Sequence, residues 1–460
     1  MFTLGEITKA CRGKLIGANP DLKVEGVSCD SRSIKRGELF LALHGVRFDG
    51  HAFLKDAFKK GAPCALVDQA VSGIAPIIVV DDTLKALQSL AHFHRRRFLI
   101  PTIGVAGSVG KTTTKECIGM ALSQAFKVRV GCGNWNNHIG VPLNLFRLSP
   151  EDQFLVLELG ANHPGEIKIL SEILEPTVGV ITGIHPTHME GFGSLDGIYR
   201  AKLELADFLD QTRGTVIANG NDPELLKRLK ERKFNLITFG TSPKCDYFLS
   251  RLEAHDGFLQ FQVNGAFDFK LRGYGAFNVW NALAAIAVCG HFHLDLKALS
   301  QKWKELPQIE GRFQLEKWDG RDIQIVDDSY NANPNSFAQA IESFQELARE
   351  RRKLSIVGDM LELGQEAKAY HEALGKELAQ RGFDLVIGVG PLSRFALEAY
   401  TSAYPKGRTA HFQTAQEAGK YLAASLQEGD SVLIKGSHGM RLDQIKTVLG
   451  EHFKSSSAVA

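Results

Sequence analysis

Short apolar runs alternate with helical stretches through most of the chain, and this alternation predicts strands that are each followed by a helix. In the middle of the chain, the strand candidates are "TIGVAG", "FLVLELG", "VGVITGI", "GTVIANG" and "LITFG". From about residue 310 the pattern starts again with "IQIVDDS", "KLSIVGDM", "DLVIGVG" and "SVLIKGS". Strands that alternate with helices form parallel sheets with right-handed crossovers. We therefore expect two separate α/β sheets.

Polar and charged side chains lie where several of these predicted strands end. In open parallel sheets, ligands bind at the carboxyl ends of the strands. Because both predicted sheets carry such residues at this edge, we expect a site between two domains. In the middle block the residues are Glu158, His188 and Asn219, and in the last block they are Asp328, Asp359 and Lys435.

The segment "GSVGKTTT" at 107–114 follows an apolar strand and opens a predicted helix. Glycines let backbone N–H groups surround phosphate oxygens, and the helix N-terminus adds partial positive charge. Lys111 would reach the terminal phosphates of a nucleotide, and the Thr112 hydroxyl would meet Mg²⁺. The strict P-loop pattern asks for Gly where this chain has Val105. The strand–loop–helix context still favours a phosphate-binding loop over an incidental glycine-rich turn.

Further candidate metal ligands follow two other predicted strands. Glu158 ends "FLVLELG" and precedes "GANHPGEI", a loop rich in Gly and Asn that a simple helix cap would not require. The loop "GIHPTHMEGFGS" contains His185, His188 and Glu190. Magnesium needs oxygen ligands in near-octahedral geometry, so the carboxylate is the stronger candidate. The residues alone do not decide between the two histidines.

The pattern also predicts the domain organisation. The first block has short strands, "ELFLAL" and "CALVD", and a helical stretch "HAFLKDAFKKGA". Pro101 suits a strand entry, and "LPQIEGRF" at 306–313 is typical of a hinge. We predict an α/β protein of three domains: a small mixed α/β domain at 1–98, a central P-loop mononucleotide-binding domain with a parallel sheet at 99–309, and a C-terminal Rossmann-like α/β domain at 310–460.

Composition narrows the function classes. The chain has 54 Lys and Arg against 52 Asp and Glu, and the net charge of +2 argues against bulk attraction to nucleic acid or anionic lipid. Its seven Cys are odd in number and none has C-x-x-C spacing, which disfavours a disulfide framework or a zinc site and fits a reducing cytosol. The first residues lack the apolar core of a signal peptide, and the longest apolar runs are too short to span a bilayer. We expect a cytoplasmic protein without nucleic-acid or membrane partners.

Several motifs occur in the order found in Mur ligases, and the sequence resembles that family over nearly its whole length. The first block, "CDSRSIKRGELFLALHGVRFDGHAFLKDAFKKGA", is similar to the family domain that holds the uridine nucleotide. The remaining motifs are "GSVGKTTTKE", "GNWNNHIGVPLNLFRL", "LELGANHPGEI", "HMEGFGSLDGIYRAKLEL", "YGAFNVWNALAA", "GRF", "VDDSYNANPNS", "GDMLELG" and "LIKGSHGMRLDQI".

The resemblance implies an ATP-dependent amide ligase of peptidoglycan precursor synthesis. A substrate carboxylate would attack the γ-phosphate of ATP to give an acyl phosphate. The amine of a second substrate would then attack this intermediate, with release of ADP and phosphate. The implied substrates are UDP-N-acetylmuramoyl-tripeptide and D-alanyl-D-alanine, and the implied cofactors are ATP and Mg²⁺ at two sites. We expect a monomer.

The resemblance also assigns roles to individual positions. Lys202 matches the lysine that the family carries as a carbamate, which offers oxygens to Mg²⁺ where an ammonium cannot. His188 rather than His185 holds the family's place before "MEGFGS". The implied catalytic residues are Lys111, Glu158, His188, Lys202 and Arg312. The implied metal ligands are Thr112, Glu158, His188 and Lys202. The implied nucleotide contacts are Gly107, Ser108, Gly110, Lys111, Thr112, Thr113, Asn278, Asn281, Arg312 and Asp328. The implied substrate contacts are Ser31, Arg32 and Asn137 for the UDP-sugar and Asn331, Asn333 and Lys435 for the peptide end.

Three departures and two alternatives accompany this interpretation. The chain has "GIHPTH" where the family has an Asn-Ile-Gly-x-Ala-His type sequence, Phe277 in place of His, and His438 in place of Arg.

One alternative is a sister ligase that adds a third amino acid, or a ligase that adds glutamates to folate. The stretch "DDSYNANP" and the absence of an Asp-Asn-Pro-Arg motif disfavour the amino-acid-adding sister. The other alternative is a P-loop switch module without ligase chemistry.

Overall fold

The three blocks predicted from the sequence correspond to separate sheets. We describe a computed structural model of the chain that covers residues 2–45, 48–71, 73–255, 257–317 and 321–457. A two-stranded and a five-stranded sheet lie in the first block, a nine-stranded sheet in the second and a six-stranded sheet in the third. The mixed α/β fold class is confirmed. The domain limits 1–98, 99–309 and 310–460 remain a proposal, with which the sheet membership agrees.

In the first block, the five-stranded sheet has the strand order β2-β7-β6-β5-β4, and only the β2–β7 pair is antiparallel. Helix α1 begins after Thr3, whose side chain forms a capping box with Glu6. The elements are β1 Phe2–Thr3, α1 Leu4–Cys11, β2 Lys14–Ile16, β3 Lys23–Val24, β4 Gly26–Ser28, β5 Glu38–Leu41, α2 Leu54–Lys59, β6 Ala65–Val67, β7 Ile77–Val79 and α3 Thr83–Arg95.

In the second block, the sheet order is β16-β15-β14-β13-β12-β11-β8-β10-β9. Strands β8 to β14 pair in parallel, whereas β15 and β16 continue the sheet as antiparallel strands that the sequence pattern did not predict. The strands are β8 Thr102–Ala106, β9 Val128–Val130, β10 Phe154–Glu158, β11 Val178–Ile181, β12 Thr215–Asn219, β13 Asn235–Gly240, β14 Tyr247–His255, β15 Phe258–Val263 and β16 Phe267–Arg272. The helices are α4 Lys111–Leu122, α5 Gly140–Leu145, α6 Glu166–Leu174, α7 Met189–Phe192, α8 Leu195–Thr212, α9 Pro223–Leu229, α10 Asn278–His291 and α11 Leu296–Lys302.

In the third block, the sheet order is β17-β18-β22-β19-β20-β21, and β17 is the antiparallel edge strand. The strands are β17 Gln314–Lys317, β18 Gln324–Asp328, β19 Arg352–Gly358, β20 Leu385–Val389, β21 Arg408–Phe412 and β22 Asp430–Lys435. The helices are α12 Pro334–Leu347, α13 Ala367–Gln380, α14 Ser393–Ala403, α15 Ala415–Ser425 and α16 Gln444–Ser457.

The central sheet is buried on both faces, as its continuous apolar strands require. Side chains of one face, including Ile103 and Val105 of β8, pack against α4 and α10. The opposite face shares a core with the first block, where α3 packs against α5 and α6. Among the described residues, no helix is both long and apolar enough to cross a bilayer.

Candidate active site

The phosphate-binding loop connects β8 to α4. Gly107 and Gly110 both have positive φ, at 145° and 78°. A Cβ atom at Gly107 would lie 2.1 Å from the Thr182 hydroxyl, and one at Gly110 would lie 2.7 Å from Oδ1 of Asn281. Both positions therefore require glycine for conformation and for space. The loop directs the N-terminus of α4, which begins at Lys111, toward a cavity.

Residues beyond β11 hold the loop in place. The Ser108 N–H donates to the carbonyl of Gly183 at 2.8 Å, and the Ser108 hydroxyl donates to the carbonyl of His185 at 2.9 Å. The Thr182 hydroxyl donates to the carbonyl of Val109 at 2.6 Å. These bonds fix a loop of backbone N–H groups before any anion binds, so the ordering cost of binding is reduced.

A buried carboxylate lies beside the start of α4. Glu158, at the end of β10, is 4% exposed. The Thr112 hydroxyl donates to its Oε2 at 2.7 Å, and Nδ2 of Asn136 donates to its Oε1 at 2.8 Å. Neutral donors thus orient the carboxylate without neutralising its charge. A hydroxyl and a carboxylate oxygen form the kind of hard oxygen pair that fits Mg²⁺.

Lys202 lies on α8 and is 1% exposed. Its Nζ donates to the carbonyl of Ala161 at 3.0 Å and lies 5.0 Å from the Phe192 ring centroid. Burial, and next the positive charge of Lys111, lower the Lys202 pKa from 10.5 to about 7. A large fraction of this lysine is therefore a neutral, nucleophilic amine near neutral pH.

His188 lies just before α7 with φ of 51°, a left-handed conformation that is uncommon for a non-glycine residue. Its Nδ1 contacts the carboxylate of Glu362, and the Met189 N–H donates to the Glu362 carbonyl at 3.1 Å. Burial lowers the pKa of His188, and the Glu362 carboxylate opposes this effect. Glu362 follows β19, so this contact joins the central and C-terminal sheets.

Asn278 and Asn281 lie on one face of α10, as their spacing predicts. Nδ2 of Asn281 donates to Oδ1 of Asn278 at 2.9 Å, and the Thr114 hydroxyl donates to Oδ1 of Asn281 at 2.9 Å. Nδ2 of Asn278 donates to the Tyr274 carbonyl at 2.8 Å. The chain of bonds ties α10 to α4. The rings of Phe277 and Trp280 line the cavity beside the two amides.

The C-terminal sheet contributes an ion pair. Nζ of Lys435, 2.6 Å from Oδ2 of Asp328, also donates to the Asn331 carbonyl at 3.0 Å. Lys435 ends β22 and Asp328 ends β18, two neighbouring parallel strands. Nη2 of Arg312 donates to the Thr112 hydroxyl at 2.9 Å, and the Arg312 guanidinium lies 4.1 Å from the Tyr330 ring centroid. Arg312 therefore connects the two sheets.

Most of these groups line one cavity of about 310 Å³ between the central and C-terminal sheets. The two sheets thus contribute to one site, as the polar strand ends indicated. The residues singled out from the sequence that line it are Ser108, Gly110, Lys111, Thr112, Thr113, Glu158, His185, His188, Asn219, Asn278, Asn281, Arg312, Asp328, Asn331, Asn333 and Lys435.

Known proteins are similar to this chain in sequence and in fold. The family description "Mur ligase middle domain" matches residues 105–289, "Mur ligase, glutamate ligase domain" matches 311–438, and "Mur ligase family, catalytic domain" matches 23–95. The UDP-N-acetylmuramoyl-tripeptide–D-alanyl-D-alanine ligase of Bacillus subtilis is 34% identical over 450 residues, which cover 96% of this chain and 97% of that protein.

The chain belongs to the Mur ligase family.

Solved structures of this Mur ligase family agree with the fold. MurF from Acinetobacter baumannii is 31% identical, with a TM-score of 0.87 over 98% of this chain and 99% of that one. MurF from Thermotoga maritima in complex with ADP is 28% identical, with a TM-score of 0.82 over 95% of this chain and 99% of that one. The three-domain Mur ligase architecture is thereby confirmed.

Some predicted site residues of this Mur ligase lie away from the cavity. Gly107 and Lys202 do not line the cavity itself. Ser31 and Arg32 lie in the first block, where Nζ of Lys60 donates to their carbonyls at 2.8 and 2.7 Å. Asn137 lies just before α5, and its Oδ1 accepts hydrogen bonds from the N–H groups of Ile139 and Gly140. Its contact with a UDP-sugar stays a prediction.

Sequence reasoning missed several polar residues around this Mur ligase site, and two of them contact predicted metal ligands. Asn136, which orients Glu158, stands beside the predicted Asn137 in "GNWNNHIG". Glu362, which contacts His188, stands in "GDMLELG". Both lie within the motifs that carry the family resemblance, which was the available signal. Only the folded chain shows which side chain reaches across to which strand.

Proposed function

We propose that this Mur ligase is an ATP-dependent enzyme that joins UDP-N-acetylmuramoyl-tripeptide to D-alanyl-D-alanine. The bond formed is an amide, and ATP is converted to ADP and phosphate. The observation that carries the proposal is the cavity, which combines a phosphate-binding loop with polar groups of a second sheet. The names of relatives that align over nearly their whole length support the two substrates.

We propose the following roles for the residues of the central sheet. The N-terminus of α4 and the loop glycines bind the phosphates, and Lys111 offsets charge that develops during phosphoryl transfer. Thr112 and Glu158 would hold one Mg²⁺, and His188 with Lys202 would hold a second. Bound Mg²⁺ would neutralise phosphate charge and orient the transferred group. Asn278 and Asn281 would contact the adenine from α10.

Residues of the C-terminal half would complete the reaction. Arg312, which reaches Thr112 from the junction between the sheets, would meet the phosphates of ATP. Asp328 would bind the nucleoside, and Asn331, Asn333 and Lys435 would lie near the peptide. With the carboxylate activated as an acyl phosphate, the amine of D-alanyl-D-alanine would attack the carbonyl carbon and displace phosphate. Holding both substrates in one cavity provides the positioning that such a step needs.

Lys202 would be carbamylated in the active enzyme. Carbamylation requires a neutral amine, and the buried position of Lys202 lowers its pKa to about 7. The modified side chain would offer carboxylate oxygens and replace a buried positive charge with a negative one. We expect Lys202→Ala to be inactive and partly rescued by a small carboxylic acid that occupies the vacated space.

The proposed enzyme would be a monomer and would act in the cytoplasm, where UDP-linked precursors and ATP are available.

The function is tested by incubating the chain with ATP, Mg²⁺ and UDP-N-acetylmuramoyl-tripeptide and following ADP formation and product mass. Tripeptides with diaminopimelate and with lysine at the third position would both be supplied. D-alanyl-D-alanine should be joined, whereas L-alanyl-L-alanine, a single amino acid or glutamate should not. ADP formation that no acceptor changes would instead indicate a P-loop switch module.

A further inference from the structure

Four side chains of the first block form a cluster outside the active-site cavity. His44 follows β5 and Asp68 follows β6, so they lie at the carboxyl ends of two adjacent parallel strands. Asp49 and His51 lie at the start of the short 3-10 helix Gly50–Phe53. None of the four lines the cavity described above.

The ligand atoms of this cluster are close together. Nε2 of His44 is 2.7 Å from Oδ2 of Asp68, and Nε2 of His51 is 3.2 Å from Oδ1 of Asp68. One ligand atom each from His44, His51 and Asp68 can be chosen so that all lie within 4.8 Å of one another. Two ligands of one tetrahedral zinc ion lie about 3.4 Å apart at ordinary Zn–N and Zn–O lengths. A small shift of one side chain would give that spacing.

Exposure differs among the members in a way that suits ion entry. The side chain of His51 is 6% exposed and that of Asp68 is 20% exposed, so the surrounding fold holds both. The side chain of His44 is 52% exposed, so this side of the cluster is open to solvent. Two ligands held by the fold and a third at the surface form a workable arrangement for capturing an ion from solvent.

The hydrogen bonds of His51 fix the orientation of its ring. Its Nδ1 is 2.6 Å from Oδ1 of Asp49, and the backbone N–H of Asp68 donates to its Nε2 at 3.4 Å. In the tautomer that donates from Nδ1 to Asp49, Nε2 therefore carries the lone pair. The long contact with the backbone N–H leaves this lone pair available to a metal ion shared with Asp68, whose Oδ1 is 3.2 Å away.

Charge also favours a cation at this cluster. Asp49 and Asp68 bring two carboxylates to the imidazoles of His44 and His51. A divalent ion would offset the charge of these two carboxylates. Imidazole nitrogen favours zinc and similar transition metals over magnesium.

We propose that His44, His51 and Asp68 bind a zinc ion, with Asp49 orienting the His51 ring through Nδ1. A carboxylate on the far ring nitrogen is the usual partner of a metal-bound histidine. The ion would hold β5, β6 and the 3-10 helix together at one end of the sheet. This inference does not depend on the proposed ligase activity.

The test is calorimetric titration of the full chain with zinc chloride in excess Mg²⁺, for the native protein and His44→Gln. Glutamine can still donate a hydrogen bond to Asp68 but cannot supply an imidazole ligand, so a purely hydrogen-bonding role would survive. We expect zinc affinity at this site to fall by at least about tenfold, since loss of outer-shell partners alone costs that much. Asp68→Asn should show the same loss.

His92→Ala is the matched control, because His92 also pairs with a carboxylate, Glu175, at 2.9 Å and is 36% exposed. Its zinc titration should match that of the native chain. Crystals soaked in zinc should show anomalous scattering among His44, His51 and Asp68. Equal zinc titrations for the native chain and His44→Gln, or anomalous scattering confined to the active-site cavity, would overturn the proposal and leave hydrogen bonding as the role of the cluster.

Discussion

The two halves of the active-site cavity differ in how their charges are balanced. In the central half, Lys111 and Glu158 make no ion pair within the described residues. Lys111 donates to the Ser108 carbonyl at 3.3 Å, and Glu158 accepts from a hydroxyl and an amide. In the C-terminal half, Lys435 and Asp328 neutralise each other at 2.6 Å. The central half thus keeps charges for ligands, whereas the C-terminal half is already paired.

This difference suits a protein whose two halves separate and rejoin. A half that is internally neutral can leave the site without exposing an unpaired buried charge. The contacts that cross between the halves include polar ones, from Arg312 to Thr112 and from His188 to Glu362, and an aromatic one between Phe277 and Phe313, whose ring centroids are 5.5 Å apart. Ligand binding at the central half would supply the missing counter-charges.

The largest effect is expected for Lys111→Ala. Removal of a cation that stabilises the transferred phosphoryl group should lower ligase turnover by about 100-fold or more. Since Lys111 makes no ion pair, the melting temperature should change little. Lys127→Ala is the control, because Lys127 is exposed and pairs with Glu151 on the surface. Near-normal turnover of Lys111→Ala would remove this residue from the catalytic set.

In the C-terminal half of the cavity, loss of the ion pair should lower the stability of the protein. In Lys435→Met the Asp328 carboxylate loses its buried partner, which should lower the free energy of unfolding by about 3 kcal/mol in urea denaturation. The double variant with Asp328→Asn should recover part of that loss. Glu158→Gln, which breaks no ion pair, should cost much less. Equal losses for Lys435→Met and Glu158→Gln would contradict the contrast between the halves.

The pH dependence of the free energy of unfolding tests whether burial lowers the pKa of Lys202 in the central half. Its pKa is about 7 in the folded chain and 10.5 as the ordinary value, so the unfolded chain binds more protons between these pH values. Stability of the unmodified protein should therefore rise with pH across this window. Relative to Lys202→Met, the free energy of unfolding should increase by about 3 kcal/mol from pH 7 to pH 10 in bicarbonate-free buffer. A parallel pH profile of the two proteins would show that folding does not lower the pKa of Lys202.

The smallest expected effect is a change in the radius of gyration when ligands bind. Gly311 has φ of 68° and lies beside Arg312 at the junction between the halves, where it can absorb a rotation. Solution scattering should show a smaller radius of gyration with an ATP analogue and UDP-tripeptide than without ligands. The C-terminal half would then close over the substrates and exclude water from an acyl phosphate. An unchanged radius would argue against the hinge and leave the ligase proposal intact.

The sequence predicted the parts of this molecule that depend on local pattern. Apolar runs with polar ends placed Glu158, Asn219, Asp328 and Lys435 at strand ends, and the glycine loop before α4. What the sequence did not predict depends on packing between distant segments. The antiparallel strands β15 and β16, the bond from Asn136 to Glu158 and the contact of Glu362 with His188 each join residues whose proximity only the tertiary fold creates.

Isotope transfer tests the central claim most directly, namely that the phosphoryl group goes to a substrate carboxylate. UDP-N-acetylmuramoyl-tripeptide labelled with oxygen-18 in the reacting carboxylate would be incubated with ATP, Mg²⁺ and D-alanyl-D-alanine. If an acyl phosphate forms, one carboxylate oxygen leaves with the phosphate, and the released phosphate should carry one oxygen-18 atom for each amide formed. Released phosphate with no label, carrying oxygen from solvent water instead, would contradict the account.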